Sequence, residues 1–338
     1  MPKRFRGGIL QARLPEINAI TNTVASGIYN TADVSQYVGS GNWVLDQFYQ
    51  QYGTPGTYSF IVPDDFSTIS ILAVGAGGAG DDGNSGDGGG GGGAGGACAV
   101  ASNVVVMPGN TITVVVGAGG ASGQGKGVRA ESGGNTTVTF GSFIMNAVGG
   151  QGGAPYSANP GATGANAVFT SIPSGVVTAG YIGGNGGPAF NGGGGGGGAA
   201  GAAGNGGTGS AAKDATNTNA PTNSYAGGGG GAVSAGGTGS LGGANGGTGQ
   251  NDTTGGGGGG AYTFTSVAAF LDTNGSNGNG LTGAGSKGGN GGFPGGGGGG
   301  SYDGGVGVAS SGANGFVRIV WGNNLSGVRK FPDNALDT

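Results

Sequence analysis

Few residues in this chain have chemistry to offer. Of 338 residues, 15 are acidic and 11 basic, none is histidine, and Cys98 is the single cysteine. Without histidine the chain lacks the side chain that most often moves protons near neutral pH. One cysteine gives no Cys-His metal cluster and no internal disulfide framework. The densest group of oxygen donors is Asp81, Asp82, Asn84 and Asp87. Calcium takes such ligands, but the spacing is not that of an EF-hand and the closing glutamate is missing. A solvated acidic turn is the simpler reading. Gly120 to Lys126 fits the first seven positions of a phosphate-binding loop, yet Gly127 stands where magnesium needs Ser or Thr, and no helical pattern follows. Asn135-Thr136-Thr137 and Asn251-Asp252-Thr253 fit glycosylation sequons without a secretory segment to support them. A carboxylate pair is the main remaining route to catalysis, and nothing in the spacing pairs two of the acidic residues. The expectation is a protein that is not an enzyme and uses no cofactor or metal.

The elements that would position these residues are set by glycine, 96 of 338 residues, against roughly 7% in ordinary proteins. Collagen needs glycine at every third position with abundant proline. Here the long glycine runs break a triplet period and there are 12 prolines. Disordered chains pair low hydrophobicity with high charge, whereas this one is 35% hydrophobic and 8% charged. Ordered glycine must then recover its backbone entropy through backbone contacts. A run in the polyproline-II conformation keeps its N–H, and without Cβ atoms several runs can lie side by side and bond to one another. The expected fold class is all-β: a small antiparallel sheet or sandwich continuing into a bundle of polyglycine-II helices, with almost no α-helix.

Strand signals support this. TYSFIV (57–62), TISILAV (68–74), the runs either side of Pro108-Gly109-Asn110, the 136–148 hairpin bending at Gly141-Ser142, and GFVRIVW (315–321) all read as β. Val74, Val116 and Val148 each lead straight into a glycine-rich stretch, which needs no sharp turn because both conformations lie in the broad β region. Tracts at 88–93, 192–198, 227–231, 255–260 and 295–300 have similar lengths and read as bundle members. The stretches 154–190, 199–226, 232–254 and 261–294 read as loops between them.

Aromatic residues fall in two groups. Residues 1–53 are glycine-poor and carry Tyr29, Tyr37, Trp43, Leu45, Phe48 and Tyr49. So short a piece does not bury a core of its own comfortably, so these residues are candidates for docking on another protein, a strap over the main domain being the alternative. Tyr181, Phe190, Tyr225, Tyr262, Phe264, Phe293 and Tyr302 lie near glycine-tract ends. Binding loops favour aromatics together with Ser, Gly and Asn, and the alternative is that these rings cap the bundle. Three regions follow: a docking segment 1–53, a glycine-rich domain 54–322 and a tail 323–338. The net charge of −4 argues against nucleic-acid binding. No stretch approaches 18 apolar residues, so no membrane-spanning helix is expected.

A strand, then GAGG, a poly-glycine run, PGNTITVVVGAGG and a closing GFVRIVWG together resemble the glycine-rich domains of tailed-phage virion proteins, over about residues 56–322. The leader ASGIYNTADVSQYVGSGNWVLDQFYQ and the tail after Trp321 resemble segments of such proteins as well. The resemblance implies a virion location, other virion structural proteins as partners, and loops that contact a host surface glycan or protein. It also implies a homo-oligomer, a trimer by analogy with fibres. A head-fibre, decoration or collar piece with no receptor is the alternative. An ice-binding surface would need regular threonine rows, and the threonine spacing here is irregular.

Overall fold

The computed structural model describes residues 49–64, 66–83, 89–121, 128–155, 161–189, 193–202, 204–211, 288–301, 310–324, 327–328 and 331. The chain divides into two units, Met1–Phe48 and Tyr49–Thr338, and every described residue lies in the second. Tyr49–Tyr52 are a strand of that unit, so its start falls slightly before the expected boundary at residue 53.

Two five-stranded antiparallel sheets face each other. One has the order β1 (Tyr49–Tyr52), β10 (Phe316–Trp321), β3 (Thr68–Val74), β4 (Cys98–Val105), β9 (Val177–Tyr181). The other runs β2 (Gly56–Ile61), β5 (Thr111–Val116), β6 (Thr136–Phe140), β7 (Phe143–Ala147), β8 (Ala167–Thr170). A short ladder, β11 (Asn323–Asn324) with β12 (Gly327–Val328), follows β10. The all-β expectation holds. Pro108-Gly109 makes the expected turn, with Gly109 at φ 77° and the Asn110 N–H donating to the Met107 carbonyl at 3.0 Å, the type II pattern of Pro then Gly. It carries the chain from one sheet to the other. Gly141, at φ 57°, opens the two-residue β6–β7 turn.

The alternation of TITVVV in β5 buries Ile112, Val114 and Val116 and leaves the intervening residues more open, so one face of that sheet meets solvent. By contrast β3 and β10 are buried along nearly their whole length. Their unbroken apolar runs fit burial on both faces. Ile71, Ala73 and Ile319 lie on the face toward the second sheet, where Trp321 meets Phe60 at 5.3 Å between ring centroids. Leu72, Val74, Cys98, Val100, Phe316 and Val320 lie on the other face, packed with Ala199, Ala200, Ala202 and Phe331. Each fully buried Leu, Val, Ile or Phe contributes about 1.5–3 kcal/mol.

Beyond the strands the chain continues as extended segments bonded through their backbones. The segment 75–83 shows the rule. Gly75, Gly78 and Asp81 donate to Ala97, Ala94 and Gly91; Ala76 and Ala79 donate to Gly134 and Glu131; Gly77 and Gly80 donate to Ala313 and Ser310. Partners therefore change with a period of three, the period of polyproline II. The same segment accepts bonds from Gly120, from Gly150 and Gly153, and from Gly298 and Ser301. It thus touches a different neighbour on each of six sides, as in a hexagonal lattice.

The bonds arrange the described segments in three columns. The first holds 117–121, 130–135, 148–154 and 161–166; the second 310–315, 75–83, 89–97 and 182–189; the third 288–292, 295–301, 193–200 and 204–210. Column order equals sheet order. The first column continues into β5, β6, β7 and β8, and the second into β10, β3, β4 and β9. The third column has no strands among the described residues. At the strand end Gly201 bridges Gly204 and a turn lies at 293–295, and Ala199, Ala200, Ala202 and Phe293 pack over the outer face of the first sheet.

Candidate interaction face at the loop end of the bundle

The bundle has two unlike ends. At one end the segments become strands. At the other the chain leaves after Gly83, Ala121, Pro155, Ala189, Ala211 and Ser301 and returns at Gly89, Val128, Gly161, Gly193, Gly288 and Ser310. Those connections are all anchored on one face, while Tyr49 sits at the opposite pole, because Tyr49 pairs with Val320 and Tyr52 with Val317. Strands of about 6 residues at ~3.3 Å and segments of about 9 at ~3.1 Å separate the poles by roughly 50 Å.

Glycine makes this face rigid through close approach. A Cβ placed on Gly77, Gly80, Gly92, Gly95 or Gly300 would fall within 3 Å of a neighbouring backbone carbonyl. Within 75–83 and 89–97 the alanines are three apart, Ala76 with Ala79 and Ala94 with Ala97, all fully buried. Around the periphery, amide side chains tie adjacent segments. Asn185 Oδ1 accepts from the Gly164 N–H at 2.7 Å, Gln151 Oε1 from Thr163 at 3.0 Å, Asn205 Oδ1 from Ile182 at 2.8 Å and Asn314 Oδ1 from Gly119 at 3.0 Å. Asn135 and Asn290 do the same toward Gly149 and Ser311. Sequence reasoning missed these residues. Their signal is a triplet of two small residues and an amide, GGN or GGQ at Asn135, Gln151, Asn185 and Asn290, AGN at Asn205 and GAN at Asn314, a three-residue period short enough to hide among longer runs.

At the loop end itself, Asp81, Asp82, Arg129 and Ser301 come together. Gly90 donates to the Ser301 carbonyl at 2.7 Å, Ser301 to the Asp81 carbonyl at 3.0 Å, and the Gly83 N–H to Ser301 Oγ at 3.3 Å. Arg129 Nη1 donates to the Gly152 carbonyl at 2.8 Å. Asp81 is only 2% exposed. Burial first, then the charge of Asp82, pushes its carboxyl up to about 8, against smaller pulls from a backbone hydrogen bond of Ala130 and from Arg129. Among the described residues no cluster of three or more Asp, Glu, Cys or His side chains could hold a metal ion.

The sequence candidates distribute unevenly. Tyr49 lies in β1, its ring 4.4 Å under the buried Arg318 guanidinium. Tyr181 is half-buried on β9, and Phe293 packs edge-on against Phe316 at 6.2 Å. Both of these sit at the strand end, inside the packing, rather than beside the loop connections. Tyr29, Tyr37, Trp43, Leu45, Phe48, Phe190, Tyr225, Tyr262, Phe264 and Tyr302 lie outside the described residues.

A glycine-rich domain family matches residues 53–280. The chain belongs to that family. No curated protein matches it. The family match covers β2 through β9 and most of the bundle, while β10, which closes the first sheet of this glycine-rich domain, lies beyond it.

Proposed function

We propose that this glycine-rich domain protein is a structural appendage of a tailed-phage particle, docked through its aromatic leader and presenting the loop end of its bundle to the host surface. Polarity is the observation that supports the reading. The chain enters the glycine-rich unit at Tyr49, on the pole away from the face that anchors the connections. A chain entry at one pole and a face of loop connections at the other is a layout that suits an adhesin. A hydrogen-bonded bundle holds that face rigidly, which lowers the ordering cost of binding. The motif combination quoted above supplies the phage context.

Exchange of the 84–88 and 302–309 connections for unrelated sequences tests this. Adsorption or host range should change while the particle still assembles. Normal adsorption with intact assembly would instead favour a decoration or collar piece with no receptor.

A further inference from the structure

We propose that Asp81 is a proton-operated latch: with its proton on, the loop end of the 75–83 segment stays closed against its neighbours, and loss of the proton loosens it. The residue occupies the segment that touches a neighbour on each of six sides, at the point where that segment leaves the bundle. Its backbone is tied on two of those sides, through its N–H to the Gly91 carbonyl at 2.9 Å and through its carbonyl to the Ser301 N–H at 3.0 Å. Its carboxyl is 2% exposed, and Oδ1 has no hydrogen-bond donor among the described residues. Asp82 follows directly, with its own Oδ1 out of contact with solvent. A buried carboxylate beside a second carboxylate resists ionisation twice, through lost hydration and through repulsion.

Among the described residues a negative charge on Asp81 is offset only in part, by a backbone hydrogen bond of Ala130 and by the charge of Arg129, both outweighed by burial and by Asp82. On its own segment the titratable neighbour is Asp82. The 128–135 stretch brings Arg129, whose Nη1 is engaged by Gly152, and Glu131, whose Oε2 accepts from Ala121 at 3.0 Å. Segment 295–301 brings the Ser301 hydroxyl. Segments 89–97, 117–121, 148–154 and 310–315 bring no charged side chain. Ionisation therefore puts a partly compensated charge where backbone bonds of three segments meet.

The direction follows from linkage. The closed end holds the proton up to about pH 8, whereas an opened, hydrated Asp81 releases it near the ordinary value of 3.8. Between those limits opening releases a proton, so it becomes easier as pH rises, and the dependence ends above the upper limit.

Amide hydrogen exchange on the full chain, corrected for intrinsic rates, reads this out. From pH 6 to pH 8 the protection of the Asp81 and Ser301 amides should fall at least tenfold. In Asp81→Asn, which keeps the shape without the charge, protection should stay at its pH 6 level across the range. Asp82→Asn should move the upper end of the window to lower pH. An Asp81 carboxyl carbon that titrates below pH 5 would overturn the proposal, and so would a pH-dependent loss of protection that survives in Asp81→Asn. Neither readout depends on what the loop end binds.

Discussion

Gly95 shows what a single residue contributes in this protein. A methyl there would meet the Gly198 carbonyl of the next segment inside 3 Å, and the obstacle is backbone, which has no rotamer to escape into. Gly95→Ala should therefore destabilise by about 3 kcal/mol or more, the upper range of overpacking, measured as a lowered denaturation midpoint. Ala94→Gly, one position away, keeps every backbone bond and should cost only about 1 kcal/mol of chain entropy. Equal effects at the two positions would mean that the close approach is not what glycine supplies. Apart from Gly295 at φ 77°, no described glycine of the bundle segments has a positive φ, so these positions select glycine for its missing Cβ and not for its freedom of φ. This distinction is invisible in composition, which cannot separate a glycine needed for space from one needed for a turn such as Gly109.

Strands and glycine segments form continuous rods, and that continuity was legible at Val74, Val116 and Val148, where a β-rich run meets glycine without a turn residue. Less legible were β8 and β9. AVFT and VTAGY are short, and they lie in the stretch 154–190 that reads as a loop. The segments 130–135, 161–166 and 204–210 were also missed, the last two lying in the stretches 154–190 and 199–226 that read as loops. Their glycines are scattered singly or in pairs among alanine and polar residues, so the length of a glycine run is a poor guide to bundle membership. The better guide is a period of three, with Asn or Gln at the third position bonding the adjacent segment. Asn185→Ala removes one such bond at the periphery and should cost roughly 0.5–1.5 kcal/mol, read by chemical denaturation. A further sign would be faster exchange at the Gly164 amide and unchanged exchange at Gly120, which donates to Gly77 on a different segment.

Taken whole, the glycine-rich unit is built in layers that share one axis. Two columns of glycine segments grow out of two sheets in the same order, and the third column's strand-end residues cover the outer face of the first sheet. The all-β class with its polyglycine continuation was readable because strand patterning and glycine runs are local signals. The column order was not, since it depends on pairing between segments far apart in sequence, such as Gly77 with Ala313. Nor was the placement of Tyr181 and Phe293, which aromatic content alone could not assign to packing or to a surface. The same long-range order gives the unit its two unlike poles, and the proposed role depends on them. Electron microscopy of intact particles labelled separately at the N terminus and at the 84–88 connection tests that role most directly. The N-terminal label should lie against the particle body and the loop label at its outer boundary. Labels in the reverse order, or particles that lack the chain, would contradict it.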